Sequence, residues 1–280
     1  MPEPSLRYEI VSIHGEMRNS RTEYILGRNS RSESRDCRGY CDGDPNRPGA
    51  VTRYKYGPLR AYIQNRDMHY AFQLDLEAGV YTAARVNEYG GRSWSKSKMR
   101  RMKPQPSGRT VNIHTQTTDT GERREMYGHI ARHVIARTTS KYSPENDSSP
   151  TEMEVDSWYI DPPAAWLTLY PPRPSHCILA YNGQFDTPVF TDDGPRETGF
   201  PLLLTRTHRS RFTDAEGKVR DHAFVDSQEV TEFSEESLDY DLFVPPRNFR
   251  RVRQLRGESS LPFALRTRLA WERLKQALKI

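Results

Sequence analysis

Three groups of residues in this chain of 280 have side chains that could do chemistry. The first is the run HIARH, His129 to His133. On a helix, two histidines four residues apart share a face and can chelate zinc. A metalloprotease of that kind needs glutamate directly after the first histidine, as the general base. Here that place is Ile130. On a strand the two imidazoles share a face but stand about 13 Å apart, too far for one ion. The second group is Cys37 and Cys41, in a stretch rich in Gly and Asp, with Cys177 beside His176. The spacing suits a small disulfide, zinc ligation or free thiols, and three cysteines leave one over in any disulfide scheme. The third group is Glu152, Glu154 and Asp156, which share one face of a strand by their period of two. Three like charges on one face read as the solvent side. Acid–base catalysis would need one of them buried, with its pKa raised. The chain has no G-x-S-x-G, no phosphate-binding glycine loop and no G-x-G-x-x-G. The expectation is therefore a protein that is not an enzyme and has no cofactor. A metal-dependent hydrolase built on His129, His133 or the cysteine loop is the enzymatic alternative.

The elements that must position these residues read as strands. Val111 to Asp161 holds short β-prone runs separated by a turn at Asp119-Thr120-Gly121 and a loop from Ser143 to Pro150, the grammar of an antiparallel sheet. Before it, Leu6–Ile13, Thr22–Leu26 and Val51–Tyr56 read as strands, the last ending at Gly57-Pro58. Arg60–Asn65, His69–Asp75 and Gly79–Val86 form a meander by spacing, with turns at Arg66-Asp67 and Glu77-Ala78. Met126–Ala136 is read as strand from its β-branched flanks. Prolines at both ends limit Ala164–Leu169 to one short helical turn. Ile178–Tyr181, Leu202–Thr207, Val219–Phe224 and Ser227–Thr231 read as strands, with a hairpin turn at 214–217. Leu242, Phe243 and Val244 read as a strand end before Pro245-Pro246. Trp158 and Tyr159 point to opposite faces of their strand, so one of them belongs to the core, and Phe243 is a further core or groove aromatic. Residues 27–50, 89–108 and 143–150 read as long polar loops.

The C-terminal stretch differs. Ala264, Thr267, Trp271, Leu274 and Leu278 recur at helical spacing, with Ser259 or Ser260 as cap and Pro262 in the first turn. Arg266, Arg268, Arg273, Lys275 and Lys279 flank that stripe. Arg266, Trp271, Leu274 and Leu278 are its candidate interaction residues. The expected fold is mainly β: one antiparallel sheet domain over residues 1–258, then a basic amphipathic helix over 259–280.

Hydrophobic residues are 35% of the chain and charged residues 28%, a lean core under a large solvated surface. Fifteen Tyr, ten Phe and four Trp supply the bulky apolar area that the few aliphatic residues do not. The 42 Lys and Arg exceed the 37 Asp and Glu by only five, a field too weak to imply a specific nucleic-acid partner. The excess sits in two patches, Arg100, Arg101 and Lys103, and Arg247, Arg250, Arg251, Arg253 and Arg256. No window of 18 apolar residues exists, so no membrane span is expected. The opening MPEPSLRYEI has neither a basic nor an apolar leader region. The expected location is then the cytoplasm, unless a leader precedes this sequence.

Two stretches carry a resemblance. One is TTDTGERREMYGHIARHVIARTT followed by EMEVDSWYID. The other is TGFPLLLTRTHRSRF, then SQEVTEFSEESLDYDLFVPPRNFRRV. Together they resemble a group of uncharacterised exported bacterial β-rich proteins. Their strand order is similar to the half-barrel of the lipoprotein-localisation and outer-membrane lipoprotein-sorting proteins. The resemblance covers roughly residues 110–252. It implies a large curved, half-barrel-like sheet in an exported, periplasmic or secreted protein that binds a lipid or other hydrophobic ligand on the concave face of that sheet, with an envelope protein as a further partner. It supplies no active-site residue. A structural or protein-interaction module without a small ligand is the alternative.

Overall fold

The computed structural model describes residues 3–15, 17–41, 52–86, 105–143, 151–169, 178–179, 184–195, 197–213 and 218–255. The fold is mainly β. Its strands are β1 (Ser5–His14), β2 (Met17–Leu26), β3 (Asn29–Cys41), β4 (Thr52–Asn65), β5 (Tyr70–Asp75), β6 (Val80–Arg85), β7 (Gln105–Met126) and β8 (His129–Ser143). They continue with β9 (Thr151–Ile160), β10 (Ile178–Leu179), β11 (Gln184–Asp193), β12 (Phe200–Thr213), β13 (Val219–Ser234) and β14 (Arg250–Arg251). One short helix, α1 (Ala164–Leu169), follows β9. All fourteen strands join one curved, unclosed sheet, ordered β10-β11-β7-β8-β9-β12-β13-β1-β2-β3-β4-β5-β6-β14. Pairing is antiparallel except for β11 against β7 and β14 against β6. Two meanders, β1 to β6 and β7 to β9, are joined because β12 and β13 fill the space between β9 and β1.

Several elements depart from the sequence reading for local physical reasons. Residues 29–41, expected within a loop, form β3 between β2 and β4. Its inward positions carry ions in place of apolar groups. Arg31, only 7% exposed, pairs with Glu33 and donates from Nη1 to the Leu242 carbonyl oxygen at 2.8 Å. Periodicity of apolar residues cannot reveal such a strand. The expected turn at Asp119-Thr120-Gly121 is a bulge inside β7, where the register against β8 shifts between Asp119 and Arg123. The hairpin turns instead at Tyr127-Gly128, both at positive φ (53° and 76°), as a tight two-residue hairpin turn requires. Gly57-Pro58 does not interrupt β4, and Val219–Ser234 is one strand. β11 was not foreseen. It lies near the sheet edge, and Pro188 falls beyond the short β10 pairing at Phe185 and Asp186, where β11 has no paired outer neighbour among the described residues. Leu242, Phe243 and Val244 do not end a strand. Tyr240–Phe243 is a 3-10 turn, capped by the Asp239 carboxylate accepting from the Asp241 N–H at 2.9 Å. The helical reading of 259–280, with Arg266, Trp271, Leu274 and Leu278, falls outside the described residues, as does most of the loop at 143–150.

Two cores form on opposite faces of the sheet. In the first, Leu6, Tyr8, Ile25, Ile160, Phe200, Leu202 and Val230 pack with Ala131 and with Ala165 of α1. In the second, Leu26, Ala61, Ile63, Phe72 and Leu74 pack under Phe243. Register shows the opposition: Tyr8 aligns with Glu23, Ser32 and Tyr62, so Ile63 and Ala61 point the other way. The first core curls the sheet. A register shift between Pro201 and Leu203 re-aims the end of β9, so that Ile160 joins Phe200. The Tyr127 hydroxyl then reaches across two intervening strands and donates to the Val230 carbonyl oxygen at 2.6 Å. Gly199 precedes this corner. A Cβ there would lie 2.6 Å from the Ile160 carbonyl oxygen and 2.7 Å from Arg132 Nη2, so only glycine fits. Arg132 secures the corner by pairing with Asp161 at 2.9 Å and Glu197 at 2.6 Å.

Phe243 is fully buried and closes the second core from the side facing away from the first. Phe243→Ala should lower unfolding stability by about 3–5 kcal/mol, measured by urea denaturation. A loss below about 1 kcal/mol would show that this turn is not a structural lid.

Candidate functional site

The curled face carries a groove beside α1. It is lined by Tyr8 and Ile10 of β1, Arg21 and Glu23 of β2, and Trp166 of α1. Phe200 to Leu202 and Leu204 of β12, and Gln228 and Val230 of β13, complete it, and its volume is about 230 Å³. Alternation explains the lining: Tyr8 and Ile10 face inward from β1, and the registry Ile10↔Val230 and Ile10↔Arg21 sets floor beside rim. Three rings hold one wall. Phe200 meets Tyr8 edge-on at 5.1 Å and Trp166 at 4.9 Å, and Tyr8 meets Trp166 at 6.3 Å. Such T-shaped contacts align the ring quadrupoles and stiffen the wall.

The rim is polar. Arg21 Nε lies 2.8 Å from Glu23 Oε1. Burial pushes the Glu23 carboxyl above its ordinary range, while Arg21 and the Ser32 hydroxyl pull it down less strongly. An apolar floor with one charged pair and Gln228 at its margin can hold an amphiphile, tail inward and head at the rim. It has no nucleophile–base pair.

The residues singled out from sequence are spread over other places. Trp158 is half-buried on β9, stacked on His133 at 4.9 Å with the Arg124 guanidinium 4.1 Å from its ring centre. Tyr159, also half-buried, faces the other way, and burial raises its phenol pKa. Neither lines the groove, and Phe243 belongs to the opposite core. The groove aromatics are Tyr8, Trp166 and Phe200. Their trace in sequence was faint: the alternation of Leu6, Tyr8 and Ile10, and the single tryptophan in a short helix between prolines.

His129 and His133 both lie on β8, each with its own carboxylate. His129 is 3.5 Å from Glu235, and His133 Nε2 is 2.8 Å from Asp156. Among the described residues no group of three His, Cys, Asp or Glu side chains is placed to hold a metal. Cys37 and Cys41 sit on β3, opposite Tyr56 and Thr52. Four residues along an extended strand separate their α-carbons by about 13 Å, beyond the roughly 7 Å limit for a disulfide. That backbone spacing does not favour the 37–41 disulfide that the sequence left open beside free thiols and zinc ligation. Cys177 and His176 lie outside the described residues.

Glu152, Glu154 and Asp156 face solvent-side partners on β8 and β12. Arg137 Nε is 2.7 Å from Glu154, and Asp156 takes His133. Glu154 and Asp156 thus form ion pairs between β9 and β8. Among the described residues no helix is long and apolar enough to cross a membrane. No protein-family model matches this chain, and no curated protein matches it.

The raised Glu23 pKa has a signed consequence. Folding favours its protonated form, so stability falls as pH rises from the unfolded value through the raised folded one. Glu23→Gln should therefore unfold at higher denaturant concentration than the parent at pH 7 and at the same concentration at pH 3. Equal midpoints at pH 7 would show that Glu23 is not strained by burial.

Proposed function

We propose that this chain is a non-enzymatic binding protein that carries a lipid or other hydrophobic ligand in the groove beside α1, in the bacterial envelope. The apolar floor of Ile10, Phe200, Leu202, Leu204 and Val230, next to the Arg21–Glu23 pair, carries this reading. The volume of about 230 Å³ is below the roughly 300–1,000 Å³ of a whole small-molecule site. The groove therefore suits one apolar arm of an amphiphile. The resemblance to lipoprotein-sorting half-barrels supports the same reading and suggests an envelope protein as the recipient.

A second reading, a protein-interaction module, draws on the far end of β12 and β13. There Val219, Phe224 and Val225 are exposed, and His208 stacks on Phe224 at 4.3 Å.

Delipidated protein titrated with N-phenyl-1-naphthylamine should show saturable fluorescence gain, and solvent extraction of the purified protein should release lipid. Ile10→Glu should weaken the probe at least tenfold without moving the unfolding midpoint by more than that of a surface change. No gain and no extractable lipid would reject the groove reading. Loss of a partner on Phe224→Ser, with probe binding absent throughout, would favour the second.

A further inference from the structure

The groove does not end at Arg21 and Glu23. On β3, Ser32 stands beside Glu23 and Ser34 beside Arg21. The first row runs on through Tyr62, Gln73 and Thr82, and the second through Arg60 and Asp75. Directly paired residues of antiparallel strands share a face, so both rows lie on the face that carries the groove. Ser32, Ser34, Arg60, Tyr62 and Gln73, with Leu255, line a second depression there of about 200 Å³.

The chemistry of this depression differs from that of the groove. Its hydroxyls and the Gln73 amide both donate and accept. The Tyr62 hydroxyl accepts from Gln64 Nε2 at 3.3 Å, which leaves its own O–H to donate, and Tyr62 is 40% exposed. The charges balance. Arg21 is paired with Glu23 at 2.8 Å, and Arg60 stands directly opposite Asp75. A carboxylate or phosphate only accepts, and it calls for cations in excess. An ammonium only donates, and it calls for carboxylates in excess. A cluster of uncharged hydroxyls does both, and it suits a mixed set with no net charge.

We propose that this depression is the head subsite of the groove. It takes the uncharged polyhydroxyl head, glyceryl or glycosyl, of an amphiphile whose apolar arm lies on Ile10, Leu204 and Val230. This rests on the groove reading and names its ligand class. From β4 to β1 are three inter-strand steps, about 14 Å at about 4.8 Å each. A small polyol head, its linkage and the first methylenes of the arm cover that distance. The Arg21–Glu23 pair stands between the two sites, where a linkage oxygen can accept from Arg21.

The test uses four amphiphiles with ten-carbon arms, each below its micelle concentration, to displace N-phenyl-1-naphthylamine from the full chain. Decyl β-glucoside or 1-decanoylglycerol should displace the probe at least tenfold more tightly than decanoate and decyltrimethylammonium. The tighter of the two names the head as glycosyl or glyceryl. Gln73→Leu should bring all four to within about threefold of one another, and Tyr62→Phe should do the same if the first variant fails to fold. Probe displacement without preference, or with a charged amphiphile tightest, would overturn the head subsite and leave the groove reading standing. The heads alone, methyl β-glucoside and glycerol at millimolar concentration, test the depression independently of the groove by saturation-transfer NMR. Transfer that is lost in Gln73→Leu supports the head subsite even if the probe never binds and the apolar arm has no site. No transfer from either head, together with no probe binding, overturns it.

Discussion

The pairing of β1 with β13 holds this molecule together. The first strand of the chain closes against one of the last, with Tyr8 beside Phe233 and Ile10 beside Val230. Without it the sheet would part into two meanders, and Leu6, Tyr8 and Ile25 would lose Phe200, Leu202 and Val230. The contact spans more than two hundred residues of sequence, so its loop-closure entropy is met only when the buried rings of the first core come together. The irregularity between Glu9 and Ile10 adds twist at that seam. The groove lies on the seam, because its floor is made by β12, β13 and β1 side by side.

A sheet this wide has more surface than the chain's apolar residues can cover. The structure meets the shortage by burying different faces in different places. The β2–β5 region is covered by the 3-10 turn on one side, and the β9–β2 region by α1 and its own curl on the other. Elsewhere most of the described strand positions are exposed or half-buried, and cross-strand polar pairs stand in for packing. Arg137 with Glu154, His133 with Asp156, Arg211 with Asp221 and Thr115 with Thr138 are of this kind. Each exposed pair adds about 0–1 kcal/mol. Their larger effect is on register: a slip of one residue would set Arg137 opposite Met153 or Val155, and Arg211 opposite Arg220 or His222. Polar anchoring also fixes the 3-10 turn. Asn65 is fully buried and donates to the Phe243 carbonyl oxygen at 3.1 Å.

This division also shows where the residues that looked chemical in sequence are placed. The titratable residues that looked chemical in sequence are spent on holding strands in register. His133 stacks on Trp158 and pairs with Asp156, and Glu154 takes Arg137. The groove is lined by rings and aliphatic groups, with Arg21, Glu23 and Gln228 at its margin.

The β class, the meander from β4 to β6 with its two turns, and the short helix at Ala164–Leu169 were legible in the residues, because alternation, turn chemistry and proline are local properties. The solvent-facing carboxylates of β9 were legible for the same reason. β3 was not, because its inward side chains are ions whose partners, Glu33 apart, lie far along the chain. The bulge at Asp119–Arg123 looked like a turn, because a glycine at positive φ serves either, and only the partner strand decides between them. The groove as an enclosure was not legible. Tyr8, Trp166, Phe200 and Val230 lie up to 222 positions apart, and nothing in their neighbours marks them as one wall. Local sequence determines which way a side chain points from its own strand. Which strands stand side by side, and so what those side chains enclose, is decided by long-range pairing and by the burial that rewards it.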